Sequence, residues 1–132
     1  MKFPSQEWGA AFEAALNENA DYASAAAAWE GDILLLVLGT SPAEISPGIR
    51  LDLFHGKCRG ATYFPDARAV ATEFVYQGPR ESWAKLFRGE IDPVKAILDG
   101  TFQIKGNLAK AMRFTRAAKE LVETAARIPV EI

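Results

Sequence analysis

The chain has 132 residues, 49% of them hydrophobic and 24% charged. These are the proportions of a compact globular protein, and at this length one hydrophobic core and one domain over residues 1–132 are expected. The 15 Lys+Arg against 17 Asp+Glu give a formal charge of -2, so no overall electrostatic excess exists to hold a phosphate backbone or an anionic membrane, and nucleic acid is not an expected partner. Cys58 is the single cysteine and His55 the single histidine, which excludes an intrachain disulfide and leaves a zinc site short of its usual ligands; no metal or cofactor is expected.

Met1 to Ser5 run into a polar helix rather than an apolar signal core, and the longest apolar run, Ile33 to Leu38, is too short to span a bilayer. The expectation is a cytoplasmic protein without stable membrane insertion. Ser5 can cap a helix whose apolar face is Trp8, Ala11, Phe12, Ala15 and Leu16. Asn17 to Asn19 interrupts it, and a second helix from Ala20 or Asp21 carries Tyr22, Ala25, Ala26 and Trp29 before Gly31 ends it.

Ile33 to Leu38 then reads as a central strand covered on both faces. Ile49, Leu51 and Leu53 alternate with Arg50 and Asp52, a strand with one wet face, and His55 to Gly60 forms the turn into a returning strand that ends at Phe64. Pro65 to Arg68 reads as a turn into a strand from Val70 to Tyr76. Four consecutive strands predict an antiparallel meander.

Gly78-Pro79 opens a helix with Trp83, Leu86 and Phe87 inward and Gly89 as its stop. Asp92-Pro93 caps another, with Val94, Ile97 and Leu98 as the buried face and Gly100 at its end. Thr101 to Lys105 is a fifth strand with Phe102 and Ile104 inward, and from Asn107 one long helix is predicted to about Arg127, ahead of Pro129. Its apolar positions, Leu108, Ala111, Met112, Phe114, Thr115, Ala118, Leu121, Val122 and Ala125, fill nearly half its circumference. That stripe is wide enough either to pack a core or to line a cavity.

Catalysis needs converging groups, and the chain offers only His55 three residues from Cys58, with nothing to supply an orienting third group or an oxyanion hole. We read them as a turn histidine and an incidental thiol, and expect no enzyme. The glycines punctuate element boundaries and form no phosphate-binding motif. Lys105, Lys110, Arg113 and Arg116 cluster near Asn107 and are balanced downstream by Glu120 and Glu123, as on a solvated helix face; a phosphate or acyl-CoA headgroup contact is the alternative.

The segment from Trp83-Ala84-Lys85-Leu86-Phe87-Arg88-Gly89 through Asp92-Pro93, Ala96 and Gly100 to Phe102-Gln103-Ile104-Lys105-Gly106-Asn107, with Ala109, Ala111 and Met112 beyond, resembles the C-terminal half of the sterol carrier protein type-two family. The hairpin from Ile49 and the strand at Ala71 to Tyr76 fall where that family has strands, so the resemblance covers about residues 6 to 126. It implies a stand-alone, prokaryotic-like member with an α/β (α+β) fold. That fold is a five-stranded mixed, mostly antiparallel sheet covered on one side by about five helices, with an apolar cavity between.

By the same resemblance the function is non-catalytic binding, transport or buffering of a hydrophobic small molecule: a lipid, fatty acid, fatty acyl-CoA or sterol-like ligand. Inward phase then nominates Phe74, Tyr76, Trp83, Phe87, Leu98, Phe102, Ile104, Leu108, Met112 and Thr115 as the wall, with Lys105 or Arg113 near a ligand's polar end. The ending Val130-Glu131-Ile132 departs from the Ser-Lys-Leu import signal of peroxisomal members, so peroxisomal targeting is not expected. The rival reading is an interaction module that docks on an enzyme or self-associates as a homodimer through an exposed apolar helix face.

Overall fold

The structure, a computed structural model, describes residues 1–131; Ile132, the last residue of the C-terminal ending considered above, lies outside the described residues. Ser5 Oγ accepts the Trp8 N–H at 3.0 Å and starts α1 (Gln6–Asn17), which buries Trp8, Phe12 and Leu16. Asn19 caps α2 (Ala20–Ala25) by accepting from the N–H groups of Asp21 and Tyr22. The second helix therefore stops before Gly31. Trp29 sits beyond it, still buried, where its indole N–H donates to the Gly31 carbonyl at 3.0 Å and its ring packs on Phe74.

β1 (Glu30–Leu38) lies at the centre of a five-stranded sheet whose spatial order is β3 (Lys57–Phe64), β2 (Gly48–Phe54), β1, β4 (Phe74–Pro79) and β5 (Gln103–Lys105). Its unbroken apolar run has two destinations: Ile33, Leu35 and Val37 join the main core under the helices, while Leu34 and Leu36 meet Ala67 and Val70 on the back of the sheet. β2 (Gly48–Phe54) and β3 (Lys57–Phe64) pair antiparallel. Their turn is only His55 and Gly56, both at positive φ (50° and 80°), the conformation of a tight two-residue hairpin, so Lys57 to Arg59 belong to the strand.

β4 (Phe74–Pro79) pairs parallel with β1 and antiparallel with β5 (Gln103–Lys105). The predicted meander is thus corrected. Residues 65–73 do not reverse beside β3; they cross to the other side of β1, and Ala67 and Val70 cover the back face on the way. A segment packed across a sheet cannot also pair within it, which is why the strand begins at Phe74 rather than Val70.

α3 (Arg80–Phe87) buries Trp83, Leu86 and Phe87. α4 (Pro93–Leu98) is capped by Asp92, whose side chain accepts from the N–H groups of Val94 and Lys95. The predicted long helix is two: α5 (Leu108–Met112) and α6 (Thr115–Ala126). Phe114 departs from helical geometry at φ -118°, ψ 36°, and its ring meets Trp29 edge-on at 5.0 Å between centroids. The count of helices among the described residues becomes six for that reason.

Candidate functional site: an apolar cavity

Between the sheet and α6 lies a cavity of about 120 Å³. Alternation along the strands puts Ile33 and Leu35 of β1, Leu51 and Leu53 of β2, Phe74 and Tyr76 of β4, and Ile104 of β5 on its floor. The helices close it with Phe12, Tyr22, Trp83, Leu86 and Phe87 on one side and Thr115, Ala118, Leu121, Val122 and Ala125 of α6 above. Val94 and Ile97 of α4 and Ala111 and Met112 of α5 complete the rim, and no charged residue among those described lines the cavity.

Of the wall nominated from sequence, Phe74, Tyr76, Trp83, Phe87, Ile104, Met112 and Thr115 face this space. Leu98 does not: α4 ends there, its inward position is taken by Ala96, and Leu98 is 73% exposed. Leu108, in the first turn of α5, is 47% exposed. Phe102 is buried but stands behind the wall, stacked on Tyr76 at 4.7 Å, in a space kept open by Gly78, where a Cβ would lie 2.7 Å from the Phe102 ring.

Lys105 and Arg113 are both exposed and neither lines the cavity. The cation against its aromatic walls is Lys110, with Nζ 5.1 Å from the Trp29 ring centroid and 5.7 Å from that of Phe74. The same ammonium donates to the Glu30 carbonyl and to Glu73 Oε2, each at 2.7 Å, strapping α5 to the ends of β1 and β4. Gly106 permits that crossing, since at φ 125° a Cβ there would lie 2.5 Å from the Phe74 ring.

Sequence periodicity missed Tyr22, Trp29 and Phe114 as wall residues because it reports which side chains point inward, not whether the interior beneath them is filled. Two of the lining residues, Tyr22 and Thr115, carry hydroxyls without a hydrogen-bond partner among the described residues. Burial pushes the Tyr22 phenol above its ordinary pKa, with Cys58 adding a smaller repulsion. Tyr76, raised chiefly by burial as well, donates to the Pro93 carbonyl at 3.0 Å and ties β4 to α4.

The sequence neighbours His55 and Cys58 are engaged elsewhere. His55 Nε2 stands 2.6 Å from Glu30 Oε1, and the buried Cys58 thiol donates to the Gly60 carbonyl at 3.4 Å. Burial pushes Cys58 up to about 11, so near neutral pH it is a thiol rather than a nucleophilic thiolate. Among the described residues no group of three or more His, Cys, Asp or Glu side chains is placed to hold a metal ion.

Residues 12–119 match the model of the SCP-2 sterol transfer family. The chain belongs to that family. SCP-2 domains are in general lipid-binding carriers, and lipid or sterol binding and transfer is the coarse function this membership carries. A crystal structure of sterol carrier protein 2 is 30% identical, with a TM-score of 0.89 over 97% of this chain and 100% of that one. A conserved hypothetical protein from Thermus thermophilus, described as a candidate sterol carrier protein, is 30% identical, with a TM-score of 0.88 over 99% and 92% of the two chains. The sterol carrier protein domain 2 of Helicoverpa armigera, at 21% identity and a TM-score of 0.57 over 96% and 90% of the two chains, shares the fold. Among curated protein sequences none matches this chain.

Proposed function

We propose that this chain is a non-catalytic, cytoplasmic carrier that takes the hydrocarbon part of a lipid into the cavity, with Phe74, Tyr76, Trp83, Phe87, Ile104, Met112 and Thr115 in its wall. The observation that carries the reading is an interior space lined wholly by uncharged and almost wholly by apolar side chains. Each buried methylene of such a ligand contributes about 0.8 kcal/mol. A charged headgroup finds no counterion among the described residues that line the cavity and stays at the rim.

At about 120 Å³ the cavity is no larger than engineered cavities that admit a benzene ring. A long acyl chain or a sterol therefore requires the wall to part. α5 is the weakest section of that wall: it spans Leu108–Met112, buries no residue fully and is strapped by Lys110.

Tryptophan fluorescence tests the reading, because Trp29 and Trp83 line the cavity and Trp8 does not. Titration with a fatty acid, a fatty acyl-CoA and a sterol should quench the emission in Trp8→Phe as in the parent chain. The response should shrink in Trp29→Phe. Absence of any response across all three ligand classes contradicts the proposal.

A further inference from the structure

The formal charge of -2 conceals a division of charge between the two N-terminal helices and the segment that runs from α4 into α6. Residues 6–25, covering α1 and α2, contain Glu7, Glu13, Glu18 and Asp21 and no Lys or Arg. Residues 93–119, covering α4, β5, α5 and the start of α6, contain six cations and one carboxylate, Asp99. α1 packs on β3 and α4 on β5, the opposite edge strands, roughly 20 Å apart at about 4.8 Å per strand.

Lys110 is committed to Glu73, but Lys95, Lys105, Arg113, Arg116 and Lys119 are exposed and make no ion pair among the described residues. The nearby carboxylates are largely occupied: Asp99 accepts from the Thr101 N–H and hydroxyl, and Asp92 caps α4. Glu120 and Glu123 lie further along α6.

Among the described residues three large hydrophobic side chains are exposed, and two of them, Leu98 at 73% and Leu108 at 47%, fall within this basic segment; the other is Ile45 at 56%. Leu98 is four residues from Val94 on α4, and Leu108 is three and four residues from Ala111 and Met112 on α5. Each pair or trio therefore shares a helix face, and Val94, Ala111 and Met112 line the cavity. Leu98 and Leu108 thus lie outside the cavity, on the surface beyond its rim.

We infer that the α4–β5–α5 edge docks on an anionic lipid bilayer. Leu98 and Leu108 enter the boundary between headgroups and acyl chains, the exposed cations hold lipid phosphates, and the acidic α1 and α2 turn away. Apolar burial and electrostatic attraction are the two contributions a peripheral membrane site requires, and this edge combines them; among the described residues no helix is long and apolar enough to cross the membrane. That the docked edge is also the mouth through which a lipid passes rests on the carrier reading; the docking itself does not.

Flotation of the full chain with phosphatidylglycerol-containing vesicles and with pure phosphatidylcholine vesicles tests the inference. Binding is expected to the anionic vesicles alone and to disappear in about 1 M salt, where screening reaches about 3 Å. Arg113→Ser with Arg116→Ser should weaken it about 25-fold, at about fivefold per cation. Leu98→Glu with Leu108→Glu should abolish it, and Ile45→Glu should leave it unchanged. Because these positions are exposed, tryptophan quenching by a water-soluble fatty acid should persist in every variant. Failure to bind either vesicle, equal binding to both, or indifference to the leucine substitutions overturns the docking site. Vesicle binding that follows the expected pattern, with no quenching by any ligand, upholds the docking and removes the carrier reading instead.

Discussion

Trp83 is the residue on which fold and cavity meet. It is 2% exposed, its indole N–H donates to the Leu36 carbonyl of β1 at 3.1 Å, and its ring contacts Phe3, Tyr76, Phe87 and Phe102. Trp83→Ala should cost about 3–5 kcal/mol in urea denaturation, as the truncation of a large buried aromatic side chain. Cys58 offers a second single-residue check. Its thiol is raised from 9.0 to about 11 by burial, so the folded state favours the protonated form. The stability tied to that preference is complete below about pH 9 and disappears as the pH climbs towards about 11. Over that window the parent chain should lose more stability than Cys58→Ala, and the two curves running parallel would show the thiol is not so buried.

Among the elements, α5 carries the clearest expectation. Its Lys110 strap is a charge-assisted bond of roughly 1.5 kcal/mol, so Lys110→Ala should speed amide exchange at residues 108–113 by roughly tenfold while leaving α6 unchanged. Equal exchange in both proteins would mean α5 is held by something other than the strap. The elements themselves were largely legible in the sequence, because caps such as Ser5, Asn19, Asp92 and Asn107 and stops such as Gly89 and Gly100 act locally. What was not legible came from contacts distant in sequence. Val70 looks like a strand residue until Leu34 and Leu36 are seen to need a cover, and nothing between Leu108 and Ala126 announces a break that Phe114 makes to reach Trp29. For the same reason Leu98 and Leu108, inward by phase, prove exposed at the ends of helices too short to bury them.

At the scale of the molecule, the five-stranded mixed sheet with helices over one face follows from the strand pattern together with family membership. Whole-chain charge was the poorest guide, since a sum near zero hid acidic helices α1 and α2 and a basic segment around β5. The cavity was the least legible feature of all: the apolar side chains that surround it have the same periodicity as side chains that would fill it. Native mass spectrometry of the freshly purified chain tests that claim most directly. It should resolve a population heavier than the 14.4 kDa polypeptide by the mass of one lipid, which collisional activation strips away. A spectrum holding only the bare polypeptide, unchanged after incubation with fatty acids, acyl-CoAs and sterols, would contradict the account.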